Sequence, residues 1–226
     1  GSVGTISQTA LSDCDIWICI NKGDFEGKLM DQLSQKIYLI KDWLDANLKM
    51  PVFFFISDVE DIRNSNFGTL DDESSGSAQR NVLKEEFYRT MIMIAGKIPL
   101  WWLCYDPLET VDYRAFCEQY ASGAFGDFDC IDMGALDSVG NDEYFGAALW
   151  QFNKALTHPL KSIIKMLLLE MLLLASGEEL LCNRFRSKII NPQKDILFVA
   201  PRMFSMRAVL HHKQSIDAET FDFIKK

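Results

Sequence analysis

"SDCDIWICI", residues 12–20, is the stretch on which the fold turns. Its alternation reads as a β-strand over 13–20, with Asp13, Asp15 and Trp17 on one face and Cys14, Ile16, Ile18 and Ile20 on the other. The two carboxylates therefore point the same way. From Lys28 to Leu48 the apolar residues Leu29, Leu33, Ile37, Ile40 and Leu44 recur every three or four positions, the stripe of an amphipathic helix. Pro51 then introduces "VFFFIS", a second strand ending at Asp58. Strand, helix and strand in that order make a βα unit of an α/β or α+β domain.

Further along, the polar, glycine-bearing stretch 63–79 reads as a loop, followed by a helix over about 80–95 and a strand in "IPLWWLCY" (98–105). Beyond Asp106 the character changes: helix-like segments at roughly 109–121, 141–156, 159–175 and 177–187 suggest a mostly helical subdomain. After Asn191-Pro192, "ILFVAPRMFSMRAVL" reads as strand and then helix. The expected architecture is α+β: residues 1–106 form a small mixed sheet with helices, and residues 107–226 form the helical part, expected to be incomplete as it stands. No internal repeat is visible.

Composition bounds what such a chain does. Its 226 residues suffice for one good-sized domain or two small ones, and 48% hydrophobic content is ordinary for a packed core. With 23 basic and 32 acidic side chains the formal charge is −9, which argues against gripping a nucleic-acid backbone. A nucleotide carried by metal ions is still compatible. The six cysteines form no CxxC pair and have no His at ligand spacing, so neither zinc nor a disulfide framework is signalled, and reduced thiols in a cytoplasmic protein are the simple expectation. The most apolar run, "SIIKMLLLEMLLLA" (162–175), carries Lys165 and Glu170 and falls short of the roughly 20 residues a membrane span needs. It is expected to be a buried helix. No signal peptide is read; the chain does not begin with Met and its site candidate sits at the extreme N-terminus, so it reads as an excerpt of a longer protein.

Gly1-Ser2 eleven residues before Asp13, two aspartates on one strand face and Asp58 at the end of the next strand are the parts of a metal-assisted nucleotidyl-transfer site. Two divalent cations about 4 Å apart activate an attacking hydroxyl and stabilise departing pyrophosphate, and alternating aspartates provide such a clamp. Asp58 would ligate one metal and accept the proton of a ribose 3′-hydroxyl. Backbone N–H groups of the Gly-Ser turn, with Ser2, would hold terminal phosphates. Each residue has a plainer reading. A DxD on a strand is common, Asp58 opens a turn in many strands, and a strand Trp is usually packing.

Four stretches give the chain a resemblance to the class I adenylate cyclases, bacterial enzymes with a polymerase-beta-type nucleotidyltransferase core. "GSVGTISQTALSDCDIWIC" is similar to the family's Gly-Ser and Ser-Asp-x-Asp-Ile-Trp at the same spacing. "GSAQRNVLKEEFYRTMIMIAGKIPLWW" (76–102), "EYFGAALWQFNKAL" (143–156) and "HPLKSIIKMLLLE" (158–170) resemble three further family blocks, with Asn153 standing where the family has Tyr. The resemblance implies Gly1, Ser2 and Ser12 near the nucleotide phosphates, Asp13, Asp15 and Asp58 as ligands of Mg²⁺ or Mn²⁺, and Trp17 on the catalytic face. It also offers Arg89, Lys97, Lys154, Lys161 and Lys165 as partners for triphosphate charge, although each is as often a solvated surface charge. Lys161 and Lys165, four apart, share a helix face. Ser77 and Gln79 would add polar contacts or cap the following helix.

The function so implied is cyclisation of ATP to 3′,5′-cyclic AMP and pyrophosphate, a lyase step in cyclic AMP signalling, with ATP as substrate and no nucleic acid. A regulatory protein would act through a region outside these residues. Two alternatives stand beside it. One is an intermolecular nucleotidyltransferase acting on a protein or small molecule; the other is a truncated nucleotide-binding remnant without catalysis.

Overall fold

A computed structural model of the chain describes residues 12–67, 79–104, 111–124, 129–174, 179–190 and 201–216. The chain divides into two compact units, Gly1–Ser74 and Ser75–Lys226. The described residues 79–104 fall in the second unit, with the helices.

In the first unit, β1 (Cys14–Ile20) is followed by a 3₁₀ turn (Lys22–Asp24), α1 (Lys28–Asn47), β2 (Val52–Asp58) and α2 (Val59–Arg63). The strand, helix and second strand lie where the alternation and the apolar stripe put them. β1 and β2 pair in parallel with Cys14 opposite Val52, Asp15 opposite Phe53, Trp17 opposite Phe55 and Ile20 opposite Asp58. Parallel pairing requires a crossover, and α1 is that crossover. Its own helical period leaves no residue fully buried, and Tyr38, Leu39 and Trp43 stand exposed. Among the described residues this sheet is a parallel pair. The short helix α2 was not legible, because five residues give too little period to read.

The second unit begins with α3 (Arg80–Thr90), which stops at Thr90 rather than about 95. The expected strand over 98–105 is corrected: only Ile98–Pro99 is strand (β3), and Leu100–Leu103 turns into the helical α4. The run is apolar throughout, with Leu100, Trp101 and Trp102 buried, and a buried apolar run reads alike as strand or helix. β3 pairs in parallel with the two-residue β4 (Cys130–Ile131). The helices α5 (Tyr113–Ala121), α6 (Asn141–Ala155), α7 (Pro159–Leu174), α8 (Leu181–Ile190) and α9 (Pro201–Ile216) complete the unit. The strand expected just before α9 lies outside the described residues.

The core of this unit gathers Val82 of α3, Tyr144 and Ala147 of α6, Met171 and Leu172 of α7, Leu181 and Phe185 of α8, and Phe204 and Val209 of α9. The apolar run 162–175 is helical, but it is not buried all round: Ser162, Met171 and Leu172 face inward while Ile163, Leu173 and Leu174 are exposed. Among the described residues no helix is long and apolar enough to cross a membrane. None of the six cysteines is in a disulfide.

Two polar devices fix α3. Glu143, in the first turn of α6, accepts the backbone N–H groups of Asn81 (2.6 Å) and Val82 (3.3 Å) and the Asn81 side-chain amide (2.8 Å). It thereby caps the start of α3 from another helix, where Gln79 makes no side-chain cap. Deeper in, Arg89 Nε donates to both oxygens of Glu85 at 2.9 Å, and its guanidinium donates to Ser205 Oγ of α9 at 2.6 Å.

Candidate functional site

Asp13 and Asp15 sit at the start of β1. The Cys14 amide donates to Pro51 O at 2.9 Å, so pairing with the neighbouring segment already holds where the aspartates stand. Strand alternation gives both carboxylates one face, about 7 Å apart at the backbone. Asp15 is the exposed one; Asp13 is half-buried. Trp17 continues that face and packs on Phe55 (centroids 5.9 Å apart) and edge-on to Phe67 (5.8 Å), which is itself buried. The contact between Trp17 and its register partner Phe55 shows that odd-numbered residues of both strands share this side.

Phe53 belongs to the same face. It is the register partner of Asp15 and 44% exposed. Within β1 the exposed residue is Asp15 alone, and within β2 it is Phe53 alone. The sequence reading passed over Phe53 because "VFFF" gives no hint of which phenylalanine meets an aspartate. Only the register of the ladder tells.

Asp58, the expected third carboxylate, is placed apart from Asp13 and Asp15. Parallel strands run the same way, so the end of β2 lies beside the end of β1, opposite Ile20. Asp58 is five residues beyond the partner of Asp15, roughly 16 Å along the strands at about 3.3 Å per residue. Alternation also turns it to the other face. Its carboxylate is used locally: Asp58 Oδ1 accepts the Glu60 amide at 3.2 Å, capping α2. Among the described residues no group of three or more His, Cys, Asp or Glu side chains is arranged to hold a metal ion.

Of the phosphate-side residues, Gly1 and Ser2 lie outside the described residues, as does Ser77. Ser12 is buried, which leaves its hydroxyl little access to a ligand.

The five cations are all in the second unit. Arg89 is only 3% exposed and is bonded to Glu85 and Ser205 inside the helical core. Burial holds the Glu85 carboxyl above the ordinary carboxylate range, and Arg89 beside it offsets this only in part. Desolvation works against the charge of Arg89, and Glu85 and Glu86 outweigh it, holding the guanidinium charged. Lys97 pairs with Asp129 at 2.9 Å on the surface, and Lys165 pairs with Glu86 at 3.2 Å. Lys154 lies over the Trp150 ring, 5.3 Å from its centroid. Lys161 is exposed on α7, and Asn153 is exposed on α6.

Two family models match the chain: "Adenylate cyclase NT domain" over residues 1–102 and "Adenylate cyclase, class-I, second domain" over residues 139–217. The chain belongs to the class I adenylate cyclase family. It is 37% identical over 172 residues to the adenylate cyclases of Salmonella typhimurium and Escherichia coli, covering 75% of this chain and 20% of each relative. The adenylate cyclase of Haemophilus influenzae is 38% identical over 175 residues, with the same coverage. The chain thus spans about a fifth of the length of the curated relatives it matches. No solved structure matches it. The first matched segment contains Asp13 and Asp15, and the second contains Glu143.

Proposed function

We propose that this chain supplies nucleotide-binding residues to an adenylate cyclase that converts ATP to 3′,5′-cyclic AMP and pyrophosphate. The observation that carries the reading is the Asp13–Asp15 pair on one strand face, with Asp15 open to solvent, in a chain of this family. The polymerase-beta-type nucleotidyltransferase core is part of the proposal, supported by the strand–crossover–strand order and the upstream Gly-Ser spacing.

Asp13 and Asp15 are the residues that would hold Mg²⁺ or Mn²⁺. The donor set fits: hard cations take oxygen ligands, and Mg²⁺ is commonly held by one or two carboxylates together with substrate phosphates. Such an ion supplies charge neutralisation at the phosphates and acidifies the attacking hydroxyl. In the reaction, a bond forms between the ribose 3′-oxygen and the α-phosphorus while the bond from that phosphorus to the pyrophosphate oxygen breaks. The hydroxyl proton leaves to water on the open face where Asp15 stands. Asp58, turned to the other face and capping α2, takes no part. A cytoplasmic site of action and a regulatory protein acting through other parts of the parent chain belong to the same proposal.

The test is to incubate the full chain with Mg²⁺ and α-labelled ATP. Labelled cyclic AMP that disappears in Asp15→Asn supports the reading. A labelled protein or small-molecule acceptor would point instead to intermolecular nucleotidyl transfer, and an unchanged product in Asp13→Asn and Asp15→Asn would remove the metal assignment.

A further inference from the structure

We propose that Phe53 is the platform on which the base of the bound nucleotide stacks. The inference rests on the reading of Asp13 and Asp15 as the triphosphate's metal-binding residues. Phe53, in the second position of its strand, is 44% exposed and so has ring surface for something to cover. Its place in the ladder says what. Phe53 is opposite Asp15, on the adjacent strand about 4.8 Å away, and both project to the same side. If the α-phosphate is held at the aspartates, the base lies one ribose away, within reach of a ring on the next strand.

The chemistry suits a base rather than another apolar group. An exposed ring beside carboxylates offers a π-face to a flat, polar-edged ligand whose anionic end is carried by a cation. Its neighbours on this face differ: Trp17 and Phe55 pack against each other, and Phe67 closes on Trp17. They form the rigid backing that keeps the strands in register, and Phe53 is left with a free surface. A stacked ring prefers large π-systems without reading hydrogen-bonding edges. Phe53 therefore favours purine over pyrimidine nucleotides but does not separate adenine from guanine.

The test measures binding to the full chain by calorimetry, with Mg²⁺ present and either ATP or inorganic tripolyphosphate as ligand. Phe53→Ala should weaken ATP tenfold or more, leave tripolyphosphate within twofold, and narrow the preference for ATP over CTP. Phe53→Tyr should restore ATP binding, since it keeps the ring. Circular dichroism of each variant checks that the strand pair survives. An ATP affinity unchanged in Phe53→Ala, or an equal loss for both ligands, overturns the proposal while the aspartate reading stands if Asp13→Asn abolishes binding of both. Binding of both ligands that persists in Asp13→Asn, or no binding to the parent chain, overturns the aspartate reading and the stacking role with it.

Discussion

Asp15 and Phe53 are partners across the parallel ladder of β1 and β2, and each is the one exposed residue of its strand. A charged side chain and an aromatic ring are thereby presented together on an otherwise partly covered sheet face. The same ladder sends Asp58 to its far end, beside Ile20. The phase and direction of the two-stranded sheet thus put Asp15 beside Phe53 on one face and leave Asp58 to cap a helix.

That sorting predicts a split between the aspartates. Asp15→Asn should reduce cyclic AMP formation at least a hundredfold with little change in melting temperature. Asp58→Asn should leave both near the parent, because asparagine caps a helix as well as aspartate does. Asp58→Ala should lower stability by about 1 kcal/mol through the lost cap while activity persists. Parallel assays and thermal melts of the three variants decide it.

Arg89 should behave as a structural residue. Removing one member of a buried ion pair leaves the other charge uncompensated, at a cost of about 3–5 kcal/mol. Arg89→Met is expected to show that loss, whereas the double variant Glu85→Leu with Arg89→Met should recover much of it. Denaturant titration of the two singles and the double gives the coupling. If Arg89→Met left stability intact and raised only the KM for ATP, the buried assignment would be wrong.

Glu143 joins α6 to the start of α3, and its carboxylate accepts three donors there. Hydrogen bonds to a charged group contribute about 1.5–3 kcal/mol. Glu143→Ala should destabilise the chain by a figure in about that range, and Glu143→Gln by less, since one oxygen remains. Amide hydrogen exchange should show the early turns of α3, around Asn81 and Val82, opening first.

Alkaline pH should destabilise the fold. Burial pushes the thiols of Cys19 and Cys104 up to about 11 from an ordinary 9.0, and the Tyr144 hydroxyl up to about 12 from 10.0. Groups raised in the folded state hold their protons longer there than in the unfolded chain. Their contribution is complete below about pH 9 and is lost as pH climbs from 9 to 12. Melting temperature followed over that range should fall steadily, and at pH 8 these thiols and the buried Cys182, also pushed well up, should alkylate slowly.

Much of this was legible in the sequence where a period runs long enough. The alternation at 14–20 and the apolar spacing through α1 announce a strand and a helix directly, because each places side chains at fixed angles around a local axis. The α6 and α7 segments were equally clear. The tryptophan run after Pro99 was not, because burial on every side erases the period by which strand and helix are told apart. Nor could the sequence tell that Arg89 is internal: an arginine in a helix reads the same whether a partner waits inside or solvent lies outside.

By itself, then, the sequence determined the two aspartates on one strand face, the crossover helix and the family. It did so because the strand and helix depend on spacing within a few residues and the family on motifs that are each contiguous in the chain. The tertiary structure alone decided that Asp58 is remote from the pair, that Phe53 is next to it, and that Arg89 and Glu143 serve packing and capping. Those facts depend on strand register, direction and long-range contact, which link residues far apart in the chain and leave no periodic trace in it.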